Sequence, residues 1–404
     1  MASLNLQNVQ KAHEELKKYF PSSPLLYNPW MSEIYGCEIY LKLENMQPIG
    51  SFKIRGATYK ISQLTPRERK AGVIAASAGN HAQGVAWGSQ KLGVDALIVM
   101  PKAAPLVKIK NTESLGAKVV LEGDDYQEAY LHAKKLAKKT GRTFVHAFND
   151  PVVIAGQGTL GLELLEQLPD LDYVVCSIGG GGLMSGVATV MQSLRPKVKL
   201  IGAQASGCTA MLQSIKKGRP ITLEKSDTFA DGIAVTATKK LPFGILKKSL
   251  HKILEADDEA IAAAILTLLE KAKVVSEGAA AVSVAVLDQI KKEIKGKKVV
   301  IVVCGGNIDV NVLNRVIDRG LIQLGRRLRI NVMISDRPGS LARLTAAIAQ
   351  AGANVIQAIH DRGEPTVTID RTEVALTLET RGADHSHEVV RALKDVVIDL
   401  EVMR

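Results

Sequence analysis

Aromatic residues make up only 4% of this 404-residue chain: six Phe, eight Tyr and two Trp. That is too few to interleave stacking platforms with basic residues, so a nucleic-acid surface is not expected despite a net charge of +11. The lysines are spread along helix faces, as at Lys134, Lys135, Lys138 and Lys139, which is the pattern of a solvated surface. Cysteine is equally scarce. Cys37, Cys176, Cys208 and Cys304 stand far apart with no CxxC pair, which argues against a disulfide framework or zinc site and for a reducing cytoplasm. No apolar run is long enough to span a bilayer, and Met1 to Phe20 is amphipathic with no signal-peptide core. Repeats and low-complexity tracts are lacking. What remains is an ordinary composition, 46% hydrophobic and 23% charged, with core enough for two or three domains.

Most of the chain alternates strand and helix, the pattern of a parallel α/β sheet. The expected units are strand Val73–Ala76 with helix His81–Leu92, strand Ala96–Met100 with helix Leu106–Leu115, and strand Val119–Leu121 with helix Tyr126–Thr140. A short strand is expected at Val145–Ala147. Helix Ile154–Leu168 precedes the continuous apolar strand Tyr173–Ser177, suited to a sheet covered on both faces. Strands Leu200–Ala203 and Val299–Cys304 and helices Asp257–Ala272, Ala279–Glu293 and Val310–Leu324 follow. Near Gly325–Arg327 the composition shifts: the tail almost lacks lysine and is close to charge-balanced. Its hydrophobic periods read β-α-β-β-α-β, a ferredoxin-like order.

One lysine is oddly placed. Ile39–Leu43 reads as a strand, Asn45–Gly50 as a turn, and Ser51 as the N-cap of a helix carrying Lys53 in its first turn. A helix start disfavours an ammonium, and Arg55 lies two residues on, so both are expected to push the Lys53 amine down. A partly neutral lysine is what condensation with a carbonyl needs, although most lysines at helix starts are simply solvated. The tetraglycine Gly179–Gly182 follows a buried strand and opens a helix, so several backbone N–H groups can converge on one anion. A dinucleotide loop needs GxGxxG and an acid after the next strand. No register fits the first, and Gln204 stands at the second position. Ser77-Ala78-Gly79-Asn80-His81 also follows a strand and opens a helix, a second place for an anion such as a carboxylate.

Glu44-Asn45 followed by Gly50-Ser51-Phe52-Lys53-Ile54-Arg55-Gly56-Ala57 resembles the cofactor-lysine segment of threonine dehydratases, pyridoxal-phosphate enzymes of the tryptophan-synthase-β-like fold type II. The resemblance covers essentially the whole chain. It implies a two-lobed α/β catalytic part over residues 1–326, with a small lobe over about 54–152, and an ACT domain over 327–404. It implies that Lys53 carries pyridoxal 5'-phosphate covalently and is the catalytic base. Phe52, Asn80, Gly179, Gly180, Gly181, Gly182, Leu183, Gly232, Glu277 and Cys304 would meet the cofactor, with Cys304 at the pyridine nitrogen, Asn80 at the phenolic oxygen and Glu277 along the ring. Ser77, Ala78, Gly79, Asn80, His81 and Phe148 would meet the substrate. The chain departs from serine racemases in two places: Ala78 stands where they have a serine, and Gln204, Cys208 and Ala210 replace their cation-binding carboxylates, so no metal is expected. The implied activity is conversion of threonine, and of serine, to a 2-oxoacid and ammonia, with an amino-acid effector at the ACT domain and a homodimer or homotetramer. A serine dehydratase or racemase, or a non-catalytic amino-acid sensor, are the alternatives. For the tail, a purely structural pairing module is the competing reading.

Overall fold

The structure, a computed structural model, describes residues 4–361 and 368–403. It divides into two compact units, Met1–Ile308 and Asp309–Arg404. The first holds two sheets. Strands β1 (Leu25–Tyr27), β2 (Glu38–Leu43), β3 (Val73–Ala76), β4 (Ala96–Met100), β5 (Lys118–Leu121), β6 (Thr143–Phe144), β7 (Tyr173–Ser177), β8 (Lys199–Ala205), β9 (Lys252–Ala256) and β10 (Lys298–Val303) follow in chain order. The larger sheet runs β1-β2-β10-β7-β8-β9 and the smaller β5-β4-β3-β6. Every pairing in them is parallel except β1 with β2. Helices pack against both faces, so β7 is buried along its whole length and β10 along all but Lys298, as expected for parallel strands. The strand order sets the site. β2, β10 and β7 are neighbours with matched registers, Val299 facing both Ile39 and Tyr173. Their carboxyl ends therefore open side by side, where ligands of open α/β sheets bind.

Several local expectations shift. Val145–Ala147 is not a strand: β6 stops at Phe144, although the Val145 N–H still donates to Ile74 O. The chain bends there because the His146 ring accepts the N–H groups of Phe148 and Asn149 through Nδ1. Ser51 is not an N-cap. The helix Lys53–Ser62 starts after Phe52 with no side-chain cap, and Ser51 instead bridges to Gly305. The run Ala279–Glu293 is three pieces, a helix Gly278–Ala285, a 3-10 turn Leu287–Ile290 and a short helix Lys291–Ile294.

The second unit opens with the helix Val310–Gln323. Then come β11 (Arg327–Ser335), the helix Ser340–Gln350, β12 (Asn354–Asp361), β13 (Arg371–Glu379), the helix Ala383–Leu393 and β14 (Asp399–Met403), in an antiparallel sheet β12-β13-β11-β14. This is the ferredoxin-like order. Alternate residues of β11 and β13, such as Ile330, Val332, Leu376 and Leu378, are buried with Leu344, Ile348, Val389 and Leu393 from the two helices. The period-2 pattern thus serves one covered sheet face.

Candidate active site

Three loops leave the adjacent ends of β2, β10 and β7. After β2 the chain turns through Glu44–Met46 and enters the lysine helix. That entry is tied to the loop after β10: Phe52 N–H donates to Cys304 O (3.0 Å) and Gly306 N–H to Gly50 O (2.9 Å). After β7 comes the glycine loop and the helix Gly182–Leu194. The fourth segment arrives from the smaller sheet, where β3 runs through Ser77–Gly79 into the helix Asn80–Leu92. This helix meets the lysine helix backbone to backbone. A Cβ on Gly84 would lie 2.9 Å from Lys53 O, so only glycine permits the approach.

Burial pushes the Lys53 amine down to about 8, with Cys304 and Glu277 pulling the other way. The direction is the one expected from sequence, but the cause differs. Arg55 is turned away from Lys53, into an ion cluster with Glu44 and Glu163 on the other side of the helix. Desolvation alone brings the amine within reach of its neutral form.

The glycine loop is built for close approach. Gly181 has φ of +84°, the left-handed region. A Cβ on Gly180 would sit 2.3 Å from the Phe148 ring, and one on Gly182 2.4 Å from Gln157 Oε1. The opening N–H groups of the following helix, including that of buried Leu183, have no residue a turn earlier to bond. Two buried polar atoms beside the loop, Gln157 Oε1 and Ser185 Oγ, have no partner among the described residues. Cradle, helix start and the unpartnered Ser185 hydroxyl, which can donate, together fit the phosphate of pyridoxal phosphate. Phe148 packs against this loop, so it buttresses the cradle in addition to any contact with substrate.

In the second anion loop, donors are already partly committed. Ser77 N–H donates to Val99 O, and Gly79 N–H donates to Ser77 Oγ (3.1 Å). The His81 ring lies against Val145 O through Nε2 (2.8 Å), and burial, with help from Lys53, pushes it down to about 3. His81 is therefore a neutral, structurally bonded ring. The backbone N–H groups of Ala78, Asn80 and His81 are the ones in this loop left for an anion.

At the end of β10, Cys304 is buried and its thiol is pushed up to about 12 by burial and then by Glu277, so it is neutral. Ser177 Oγ lies 3.4 Å from its sulfur. Asn80 Nδ2 donates to Glu277 Oε1 and Oε2 (2.9 and 3.0 Å), and Asn307 Nδ2 donates to Asn80 Oδ1 (2.7 Å). Gly305 makes room for the Glu277 carboxylate, since a Cβ there would lie 2.4 Å from Oε1, and Gly232 makes room for Ala279, whose Cβ would lie 2.8 Å from one on Gly232. Asn307, Gln157 and His146 carry no sequence-based role. Only Asn307 had a visible signal, its place at the end of the run Cys304-Gly305-Gly306-Asn307. Gln204, the residue that argues against a dinucleotide, has its amide taken up by Ile178 O, Cys208 O and Leu212 N–H.

The chain matches two protein families: pyridoxal-phosphate dependent enzymes over residues 18–305 and the ACT domain over 328–397. It is 49% identical to an L-threonine ammonia-lyase of Thermotoga maritima, across 96% of this chain and 97% of that one. It is 42% identical to another from Geobacter sulfurreducens, across 98% of each. Among solved structures it resembles the processed threonine deaminase isoform 2 of Solanum lycopersicum (TM-score 0.74, 35% identity, 78% of this chain and 89% of that one). It also resembles maize serine racemase (TM-score 0.75, 30% identity, 80% and 99%).

Proposed function

The chain belongs to the pyridoxal-phosphate-dependent enzymes and carries a C-terminal ACT domain, and from that premise we propose that it is a threonine ammonia-lyase, converting L-threonine to 2-oxobutanoate and ammonia. The observation that carries this reading is a buried lysine of lowered basicity, flanked by two backbone anion loops and a neutral thiol. Pyridoxal phosphate, held by the Gly179–Gly182 loop and Lys53, withdraws electrons from the substrate α-carbon when bound. The backbone N–H groups around Ala78, Asn80 and His81 orient the carboxylate. Lys53, as a free amine, takes the α-proton. Loss of that proton and of the β-hydroxyl as water leaves an enamine, which a second water converts to the 2-oxoacid and ammonia. Serine, which lacks only the methyl group, is a second substrate. Ala78 offers no hydroxyl to return a proton to the opposite face, which disfavours racemisation, and an intact Lys53 disfavours a purely sensory role. A 2-oxoacid assay over a panel of amino acids tests the reading; threonine should be turned over best, and recovered threonine and serine should keep their chirality.

The Cys304 environment gives a sharper expectation. Cys304→Ser keeps a neutral partner and should leave kcat for threonine within a few fold. Cys304→Asp introduces a buried carboxylate beside Glu277, and should lower kcat by about tenfold or more. Equal rates in the two variants would remove the argument from a neutral partner.

The ACT domain binds an amino-acid effector, isoleucine or valine by our reading, and pairs between subunits of a homodimer or homotetramer. Its first helix follows a tight turn in which Gly339 has φ of +88° and Ser340 N–H donates to Arg337 O, leaving later N–H groups of the helix start for a carboxylate. No helix among the described residues is long and apolar enough to cross a membrane, and the cytoplasm is the compartment proposed. A chain ending at Ile308, the limit of the first compact unit, should keep threonine turnover and lose its response to branched-chain amino acids. An unchanged effector midpoint in that truncated chain would place the regulatory site in the catalytic part.

A further inference from the structure

The orientation of the Asn80 side chain is fixed from both ends. Asn307 Nδ2 donates to Asn80 Oδ1 (2.7 Å) and to Ile49 O (2.8 Å). With its oxygen taken by a donor, Asn80 must turn its NH2 group the other way, onto both oxygens of Glu277. An amide nitrogen has two N–H bonds. Glu277 accepts on one side, so the other N–H is the donor that Asn80 can offer to the cofactor.

Glu277 is itself enclosed. Its backbone N–H donates to Gly305 O (3.1 Å), and its carboxylate fills the space that the missing side chain of Gly305 leaves. The charged or titratable groups that face it are Lys53 from the lysine helix, Cys304 from the end of β10, Asp231 from the Asp231–Ile233 turn, and Lys108. Lys108 lies on the helix Leu106–Ser114 and is paired with Asp231 at 2.6 Å. Burial pushes the carboxyl up to about 7. The Asn80 bond opposes it, Asp231 adds to it, and Lys108 and Lys53 oppose it. An ionised carboxylate accepts from Asn80 through either oxygen. A protonated one keeps a single good acceptor and turns a second donor toward the same amide.

We propose that Glu277 is a positioning residue that acts through Asn80: its ionised carboxylate, with Asn307 behind, sets the N–H that Asn80 presents to the cofactor's phenolic oxygen. This rests on the reading that Asn80 faces that oxygen, and it makes the electronic state of the bound cofactor follow the charge on Glu277. The group is ionised above its midpoint, so the aligned state is gained as pH rises through neutrality and lost as pH falls.

The test is a pH titration of the visible absorbance of the holoenzyme without substrate, with kcat and KM for threonine measured in parallel. The wild-type chromophore should show a step near neutrality, and kcat should follow the same midpoint. Glu277→Gln should retain the cofactor on Lys53, shown by borohydride reduction and mass analysis, and should lose that step. Its kcat should fall about tenfold or more at the plateau with KM nearly unchanged. Asn307→Ala leaves Glu277 in place but frees the Asn80 amide. Weaker bonds to the carboxylate should then raise the midpoint. The idea is overturned by a Glu277→Gln holoenzyme that keeps the wild-type step, or by an unchanged midpoint in Asn307→Ala. The chromophore readout needs no turnover, so an enzyme inactive on threonine but titrating as described would refute the substrate assignment and leave this one standing.

Discussion

Replacing Lys53 with alanine is expected to lower threonine turnover by about two to four orders of magnitude, the usual scale for removing a catalytic base, and to leave no cofactor attached covalently. The expectation follows from where the amine sits. It heads the helix Lys53–Ser62 at the meeting point of β2, β10 and β7, and burial holds it at about 8. Charge alone could explain a loss of activity, so Lys53→Arg is the informative partner. A guanidinium keeps the positive charge but does not give up its proton in proteins and cannot serve as this base. Both variants should therefore be equally inactive, and borohydride should fix no cofactor to either. Substantial turnover by Lys53→Arg would show that the position supplies a field and that the base lies elsewhere.

The parts of this site that could be read in the sequence are those built from neighbours along the chain. A buried strand, a run of glycines and a helix start are written consecutively at Tyr173–Leu183, and a strand, a short Ser-Ala-Gly turn and a helix start at Val73–His81, so both loops were legible as local chemistry. The alternation of β11 and β13 likewise revealed one covered face. Partnerships that the fold assembles from distant segments were not legible. Arg55 stands two residues from Lys53 and invites an electrostatic role toward it, yet the helix turns the two side chains apart and Arg55 meets Glu163, 108 positions away. Asn307 shows no role until β10 pairs with β2 and brings it to Ile49, and the helix after β3 brings Asn80 to it from the smaller sheet. Phe148 reads as pocket lining, but only the packed structure shows its ring against Gly180. Signals were weakest between β8 and β9. There the short lysine-bearing helices Ala210–Lys217 and Lys240–Ser249 are amphipathic over only two to three turns, too short a window for period analysis.

The largest stability effect should come from the ion cluster beneath the lysine helix. Lys42, Glu44, Arg55 and Glu163 are all buried, with side-chain exposure of 0 to 4%. Arg55 donates to both carboxylates, and Lys42 Nζ donates to Glu163 Oε2 (2.6 Å), to Ser23 O and to Gln167 Oε1. Burial alone would raise the Glu163 carboxyl. Arg55 and Lys42 overcome that and hold it at about 2. Its contribution is thus complete above the ordinary carboxylate value of 4.5 and is lost as pH falls from there toward about 2. The four charges cancel, and that balance decides the mutational outcome. Glu163→Gln leaves two buried cations facing one carboxylate, and should cost about 3–5 kcal/mol, a fall in Tm on the order of 10 °C for a unit of this size. Adding Lys42→Met removes the surplus cation and leaves Arg55 paired with Glu44. The double variant should therefore be more stable than Glu163→Gln alone, a coupling of opposite sign to simple addition. Thermal unfolding of the wild type, both single variants and the double variant completes the cycle. If the two losses simply add, the residues act as separate packing contacts, and the cluster does not behave as one neutral assembly.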